Sequence, residues 1–502
     1  MRHSLRRNAM SDERVSRSAT FALVAQLVGG LLTAILTIFL GRALSAVQFG
    51  AFTFALSVTA IATLFADFGI SSSASRFLAE RRDQPNAAAA VLRTAVRLKL
   101  ITGIPATILI LVLARPICAT FGTTDAVWAL RGCAIALLAQ TLFNLSLFAF
   151  GSLGKLRYNV VLATIESVAE VSATIPLVVI GGTAAAAAFG RAIGFTVGLV
   201  AALVLVNRTI GRVAVRHREH DHTVVSPREI IGYAGPLVLV DAAFRLFMSI
   251  DVLLIAALVG GGARIAAFGL AMRLTIFLEY PAAAVASAVS PRLTRRPSEE
   301  DVMLLAQSLR YLALLQMLLA VPLLIWPEAI MRLLFGNKYP EAPDVLRALA
   351  PFVLLSGIAQ LTTLTVNYLG AAWRRVPIAV AMLTVNVVID VLLLPRIGIV
   401  AGAIGTSAAY AVWVPAHVWI LRGRGLLRLR PFLLTIARSC LAGGVMAGTL
   451  ALLGTGRVPI ALMLVGAIVG PAAYIATLFA VRELGRDDVA VIRRLLARRV
   501  LT

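Results

Sequence analysis

Uncharged, strongly apolar runs of about twenty residues recur along the 502-residue chain, separated by short segments rich in arginine. The first run, 19–40, carries no charge for 22 residues. A helix needs about 20 apolar residues to cross the hydrocarbon of a bilayer. A secretory signal core would be shorter and would close on small residues at a cleavage site. This run ends Leu36-Thr37-Ile38-Phe39-Leu40, so it reads as a retained first helix. The same pattern predicts fourteen spans: 19–40, 49–69, 98–114, 128–150, 159–180, 183–206, 233–259, 264–290, 307–326, 348–370, 376–394, 399–421, 434–453 and 458–480. Ten-residue alternating segments, the pattern of a membrane β-barrel, do not occur. An open chain in lipid must pair each backbone N–H and C=O within its own segment, which leaves helices. The expected fold is an all-α polytopic membrane protein of about fourteen transmembrane helices.

The longest inner connection, 207–232, divides this pattern. It sets a basic N-terminal segment 1–18 and an N-lobe 19–206 (spans 1–6) against a C-lobe 233–421 (spans 7–12). Two added helices fill 422–480, and a basic tail covers 481–502. Two six-helix halves suggest an internal duplication, as in many transporters. Phe49-Gly50-Ala51-Phe52 at the start of span 2 has a weak counterpart in Ala266-Ala267-Phe268-Gly269 at the start of span 8. His217, His220, Asp221 and His222 in the connection read as a solvated linker, because no further ligand closes a coordination sphere; no metal is expected.

Composition agrees. Hydrophobic residues make up 60% of the chain and charged residues 14%, against about 45–50% and 25% in soluble domains. Mean hydropathy is +0.91. A soluble enzyme, a secreted disulfide scaffold and a disordered tail protein are excluded. Cys118, Cys133 and Cys440 are too few and too scattered for a disulfide framework.

The net charge of +23 would suggest nucleic acid in a soluble protein. Here the cations lie between spans. With the N-terminus inside, 34 of the 47 Lys and Arg fall on inner segments and nine on outer ones. The remaining four, Arg191, Arg245, Arg273 and Arg438, fall within helices. This is the positive-inside bias. It sets both termini in the cytoplasm and leaves no nucleic-acid partner. The tail cations Arg493, Arg494, Arg498 and Arg499 can also lie on anionic lipid.

No enzyme motif stands out. Gly151-Ser-Leu-Gly-Lys155 lacks the spacing and the Ser/Thr of a P-loop, and no metalloprotease or nucleophile-elbow pattern occurs. The longest outer loop, 327–347, is too short to house a glycosyl-transfer site. The chain is therefore expected to have no catalytic residues, and its work is expected on a path through the helices. Charges in hydrocarbon cost about 2.5–3.5 kcal/mol each on insertion scales, so those retained there mark function or pairing. Asp241 and Arg245 lie four apart in span 7, with Arg245 ~18 Å from the inner end. Arg273 has a similar depth in span 8, Glu166 and Glu170 lie four apart in span 5, and Arg191 is in span 6. Arg191, Arg245 and Arg273 are the candidate cavity cations, and Asp241, Glu166 and Glu170 the acids that tune them. The same residues could instead lock helices together as ion pairs. Arginine suits a phosphate because its fork gives paired, charge-assisted hydrogen bonds. Asp67, Asp251, Asp390, His417 and Arg438 fall near helix ends and are expected at the interface. Pro105, Pro176, Pro236, Pro281, Pro322, Pro351 and Pro415 mark possible kinks.

Several stretches resemble the polysaccharide repeat-unit flippases, the O-antigen and exopolysaccharide transporters of the multidrug/oligosaccharidyl-lipid/polysaccharide exporter superfamily. They are 39–52 (FLGRALSAVQFGAF), 65–70 (FADFGI), 75–80 (SRFLAE), 233–237 (YAGPL), 249–251 (SID), 268–274 (FGLAMRL) and 335–339 (FGNKY). The resemblance implies two six-helix lobes around a central, often cationic cavity. An undecaprenyl-diphosphate-linked oligosaccharide would pass from the inner to the outer leaflet of a bacterial inner membrane. Partners would be that lipid, membrane lipids, and a polysaccharide polymerase or glycosyltransferases; no cofactor is implied. Drug antiporters of the superfamily often carry an acid in the first helix, and 19–40 has none. Lipid II flippases carry arginines in the first helices, and here only Arg42 stands at a span mouth. A membrane glycan polymerase or ligase, or a non-transporting assembly scaffold, are the readings from other classes.

Overall fold

The computed structural model describes residues 29–81, 84–211, 227–290, 293, 297–369, 372–485 and 488. Among them every regular element is helical. The N-terminal segment, most of the 207–232 connection with its histidines, and most of the basic tail lie outside the described residues.

The helices are α1 (Gly29–Ala43), α2 (Ala46–Asp67), α3 (Ile70–Glu80), α4 (Pro85–Thr120), α5 (Val127–Ser152), α6 (Leu156–Gly181), α7 (Ala184–Val206), α8 (Pro227–Leu258) and α9 (Gly262–Phe277). They continue with α10 (Tyr280–Val289), α11 (Glu299–Ile325), α12 (Pro327–Phe335), α13 (Ala342–Ala348), α14 (Ala350–Tyr368), α15 (Arg375–Ile397), α16 (Val400–Gly423), α17 (Leu429–Leu452) and α18 (Ile460–Ala480). A helix meets each of the fourteen predicted segments. Among the described residues eleven are long and apolar enough to cross a membrane, or twelve if the broken pair α9–α10 is one span. The described part of α1 is shorter than a full span. The protein is thus a multi-pass, all-α membrane protein, with fewer proven spans than the fourteen expected.

Three differences from the pattern have local causes. Helix α4 runs for 36 residues, about 54 Å at 1.5 Å per residue, well beyond the ~30 Å of hydrocarbon. Its polar first third escaped a hydropathy reading, but Ala87–Ala90 favours helix without needing lipid. The span expected at 264–290 breaks at 278–279 and restarts with Pro281 in the first turn of α10, because a proline has no N–H to bond the carbonyl four residues back and its ring clashes with it. Pro351 sits at the first turn of α14 and makes no kink.

The helices form two compact units. The first holds 29–280, with 338–341 and 372–405, and so takes in helices from both sides of the 207–232 connection. Its tight turns use specific residues. Ser45 caps α2 by accepting from the Gln48 N–H at 3.2 Å. Phe68 (φ 40°) and Gly69 (φ 71°), both in the left-handed region, end α2 and lead into α3.

The second unit holds 281–337, 342–371 and 406 onward. A capping box opens α11: the Asp301 N–H donates to Ser298 Oγ at 3.2 Å and the Ser298 N–H to Asp301 Oδ2 at 3.0 Å. Helices α12 and α13 occupy the outer loop expected at 327–347. Trp326 Nε1 donates to Gly454 O at 2.8 Å and Tyr474 Oη to Leu314 O at 2.9 Å, tying α17 and α18 to α11. Beyond α18 the chain is latched. Arg310 donates to Glu483 Oε1 at 2.8 Å and to both oxygens of Asp488 at 3.1 Å. Arg438 holds the other Glu483 oxygen at 3.0 Å and the Thr435 hydroxyl donates to Oε1 at 2.9 Å.

Burial alone would raise the Glu483 carboxyl, but the hydrogen bonds from Arg310, Arg438 and Thr435 outweigh it and hold it below its usual range. Asp488 is likewise lowered: burial opposes, and bonds from the Tyr311 hydroxyl, the Gly485 N–H and Arg310 prevail. A carboxylate with a lowered folded value contributes stability above its ordinary range, near pH 4, and loses it as pH falls through the lowered value. Arg310→Gln is therefore expected to cost about 1–3 kcal/mol at neutral pH, and less as the medium becomes acidic. Unfolding of the detergent-solubilised protein followed from pH 7 to pH 3 checks both points. A variant with wild-type stability at pH 7 would show that the latch contributes nothing.

Candidate functional site

Helices α6 and α7 form a hairpin. Gly182 ends α6 in the left-handed region (φ 59°), and Thr183 caps α7 by accepting from the Ala186 N–H at 3.2 Å. Gly190, Gly194 and Gly198 repeat every four residues and share one face of α7. Glu166, Glu170 and Thr174 repeat likewise on α6. The two faces meet almost backbone to backbone. A Cβ on Gly194 would stand 2.7 Å from Glu170 Cα, and one on Gly198 would stand 2.9 Å from Glu166 Cβ. Small residues permit this approach where there is no hydrophobic drive between helices. The stripe pins the carbon stems of both glutamates. Arg191, next to Gly190, donates from Nη1 to Glu170 Oε1 at 3.2 Å. Its guanidinium lies 4.7 Å from the Phe195 ring centre.

A second small-residue crossing positions Arg273. A Cβ on Gly50 of α2 would collide with the Gly262 carbonyl, and one on Gly269 of α9 would stand 2.6 Å from Thr53 Cγ2. The two motifs that hinted at a duplication thus lie on helices packed against each other. Phe49 and Phe52, which flank Gly50, each place a ring centre 5.6 Å from the Arg273 guanidinium. Stacked on two aromatic faces, Arg273 has no carboxylate within 4 Å among the described residues.

Between these crossings lies a cavity of about 470 Å³, wholly within the first unit. Arg191, Arg245, Arg273, Glu166 and Glu170 all stand on its wall. Five of the six residues singled out from the sequence are therefore together. Asp241 is not among the lining residues. It lies one turn from Arg245 and feels both Arg245 and Arg375, yet no ion pair within 4 Å joins Asp241 to Arg245. Gln140 and Tyr280 also line the cavity, with their polar groups uncommitted to other described residues. Phe52, Phe195 and Phe277 add aromatic faces. Sequence reading missed the rings around Arg273 and the glycine stripe. The four-residue glycine repeat was the available signal for the latter.

Several other charges lie elsewhere than expected. Lys99, counted with the inner cations, is 1% exposed within α4. It pairs with Asp67 and donates to Thr141 O at 3.0 Å, while the Ser71 hydroxyl donates to Asp67 at 2.7 Å. Asp251 and Asp390 are buried, not interfacial, with Asn386 also fully buried one turn before Asp390. His417 is buried, its Nδ1 2.9 Å from Trp413 O. Nearness to a helix end misled here because the ends are covered by neighbouring helices.

The fold and the site define a multi-pass helical membrane protein with an arginine-walled chamber. The chain belongs to the polysaccharide biosynthesis protein family, whose model matches residues 15–296. It is 23% identical over 414 residues to the probable low-salt glycan biosynthesis flippase Agl15 of Haloferax volcanii, covering 81% of this chain and 83% of that protein. Among solved structures it is similar to lipid II flippase MurJ in an inward closed conformation, with a TM-score of 0.74 and 14% identity over 92% of this chain and 98% of that one. It is also similar to an inward-facing multidrug resistance MATE family transporter of the MOP superfamily, with a TM-score of 0.63 and 16% identity over 81% and 98%. These structural likenesses establish the fold.

Proposed function

We propose that this protein flips a lipid-linked oligosaccharide, a repeat unit on undecaprenyl diphosphate, from the inner to the outer leaflet of a bacterial inner membrane for O-antigen or exopolysaccharide synthesis. The observation that carries the reading is the convergence of Arg191, Arg245 and Arg273 on one cavity wall inside a membrane body. A diphosphate offers several anionic oxygens, and three guanidinium forks are complementary to them. Asp241, just off the wall, would moderate Arg245. Gln140 and Tyr280 supply hydrogen-bonding groups, and the phenylalanines supply flat apolar faces, for a sugar next to the diphosphate. The family membership and the glycan-flippase relative support a lipid-linked glycan as substrate.

In this reading 19–206 and 233–421 act as two lobes that open the cavity to one side and then the other, with both termini cytoplasmic. A polymerase or glycosyltransferases would act before and after it. The test is reconstitution in liposomes with a fluorescent undecaprenyl-diphosphate oligosaccharide placed in one leaflet. Appearance of the sugar on the opposite face, read by an impermeant lectin and absent from empty liposomes, is the expected result. Protein-containing liposomes that transfer no more than empty ones would reject the function.

A further inference from the structure

The cavity wall carries more carboxylate than one arginine can neutralise at close range. Glu170 is fastened to Arg191. Glu166, one turn away on the same face of α6, is only 8% exposed, and it accepts from the Ser167 hydroxyl at 3.3 Å. The glycines of α7 hold both stems in place, so neither acid can withdraw along the helix face. The charged and titratable groups that share the wall with the pair are Arg191 on α7, Cys133 on α5, Arg273 on α9, Arg245 on α8 and Tyr280 on α10. Arg191 is the one that touches it.

We propose that the Glu166–Glu170 pair is a proton-loading site coupled to diphosphate binding through Arg191. The inference rests on the diphosphate reading of the cavity. A guanidinium fork holds one carboxylate or one phosphate edge at a time. When a phosphate takes the Arg191 fork, Glu170 loses its counter-ion and stands one turn from a second carboxylate in a desolvated wall. Two like charges so placed cannot both stay ionised without penalty. A hydronium ion from the cavity water gives its proton to one of the two carboxylates and leaves as water, so that one carboxyl and one carboxylate remain. Empty, Glu170 occupies the arginine in place of the substrate's anion. Loaded, one proton on the pair takes the place of the arginine.

The experiment measures binding of farnesyl diphosphate, and separately of inorganic pyrophosphate, to the full-length protein in detergent between pH 6 and pH 8. Wild type is compared with Glu170→Gln, so that titration of the ligand itself cancels. One linked proton gives a wild-type affinity that rises by about tenfold per pH unit lowered, relative to the variant. Glu170→Gln is expected to bind at pH 8 at least as tightly as wild type. The same linkage is expected with inorganic pyrophosphate, since the diphosphate carries it; a linkage confined to the lipid-borne probe would overturn the assignment. Equal pH slopes in wild type and variant would overturn it as well. If the variant fails to fold, calorimetry of the wild type in buffers of different ionisation enthalpy decides. Net proton uptake by the protein supports the site, and none overturns it. Arg273→Ala separates the two levels. Undiminished farnesyl diphosphate binding there rejects the diphosphate reading of the cavity. Weakened binding there, with equal slopes for Glu170→Gln, rejects only the proton coupling.

Discussion

Arg273→Ala is expected to lower oligosaccharide transfer in reconstituted liposomes by roughly 30-fold or more, with normal amounts of folded protein. Truncating one partner of a buried, hydrogen-bonded charge pair costs about 2–5 kcal/mol, and 1.4 kcal/mol is about tenfold. Arg273 is a cavity arginine whose removal does not also release an acid. Arg191 is already engaged by Glu170, so its alanine variant also frees an acid and mixes two effects. Arg273 is held by the Phe49 and Phe52 rings and has no carboxylate within 4 Å among the described residues. Arg273→Lys is expected to recover only part of the activity, because an ammonium keeps the charge but loses the planar fork and the stacking. Transfer by Arg273→Ala at the wild-type rate would remove this residue from substrate recognition.

Gly50→Ala is expected to be the most destabilising one-carbon change in the first unit. The new methyl would collide with the Gly262 carbonyl, a backbone group that no side-chain rotation can move. Overpacking costs about 1–3 kcal/mol where side chains can adjust, and more where they cannot. The consequence reaches the site, because separating α2 from α9 carries Phe49 and Phe52 away from Arg273. Transfer per folded molecule should therefore fall together with the apparent unfolding temperature. Gly448→Ala is the control. Its position in α17 has nothing within 4 Å of the added carbon, and alanine in a helix is favoured over glycine by about 1 kcal/mol. A Gly50→Ala protein as stable as Gly448→Ala would mean that the crossing is looser than it looks.

The hydropathy pattern located a helix at all fourteen expected places, since helix formation in lipid is forced locally by backbone hydrogen bonding. It shortened α4 and overlooked α3, α12 and α13, because those stretches need no lipid to be helical. The candidate residues were legible for a related reason. A charge in hydrocarbon is costly enough to stand out against its neighbours, and Arg191, Arg245, Arg273, Glu166 and Glu170 all reached the cavity wall. Asp241 did not, although its spacing from Arg245 looked like a pair. Helical spacing puts two side chains on one face but does not choose which of them points into a hollow.

What the linear chain determined by itself was the class of solvent it lives in, the helical character of its elements and the identity of the charges on its cavity wall. Each follows from interactions within a few residues or from transfer between water and lipid. Tertiary structure alone decided which charges share a chamber and which are spoken for. Arg191 is bound by Glu170, Arg273 lies on two phenyl rings and Lys99 is closed against Asp67. These pairings depend on how near two helices can come, and that distance is set by glycines such as Gly50 and Gly194 meeting partners far away in the sequence.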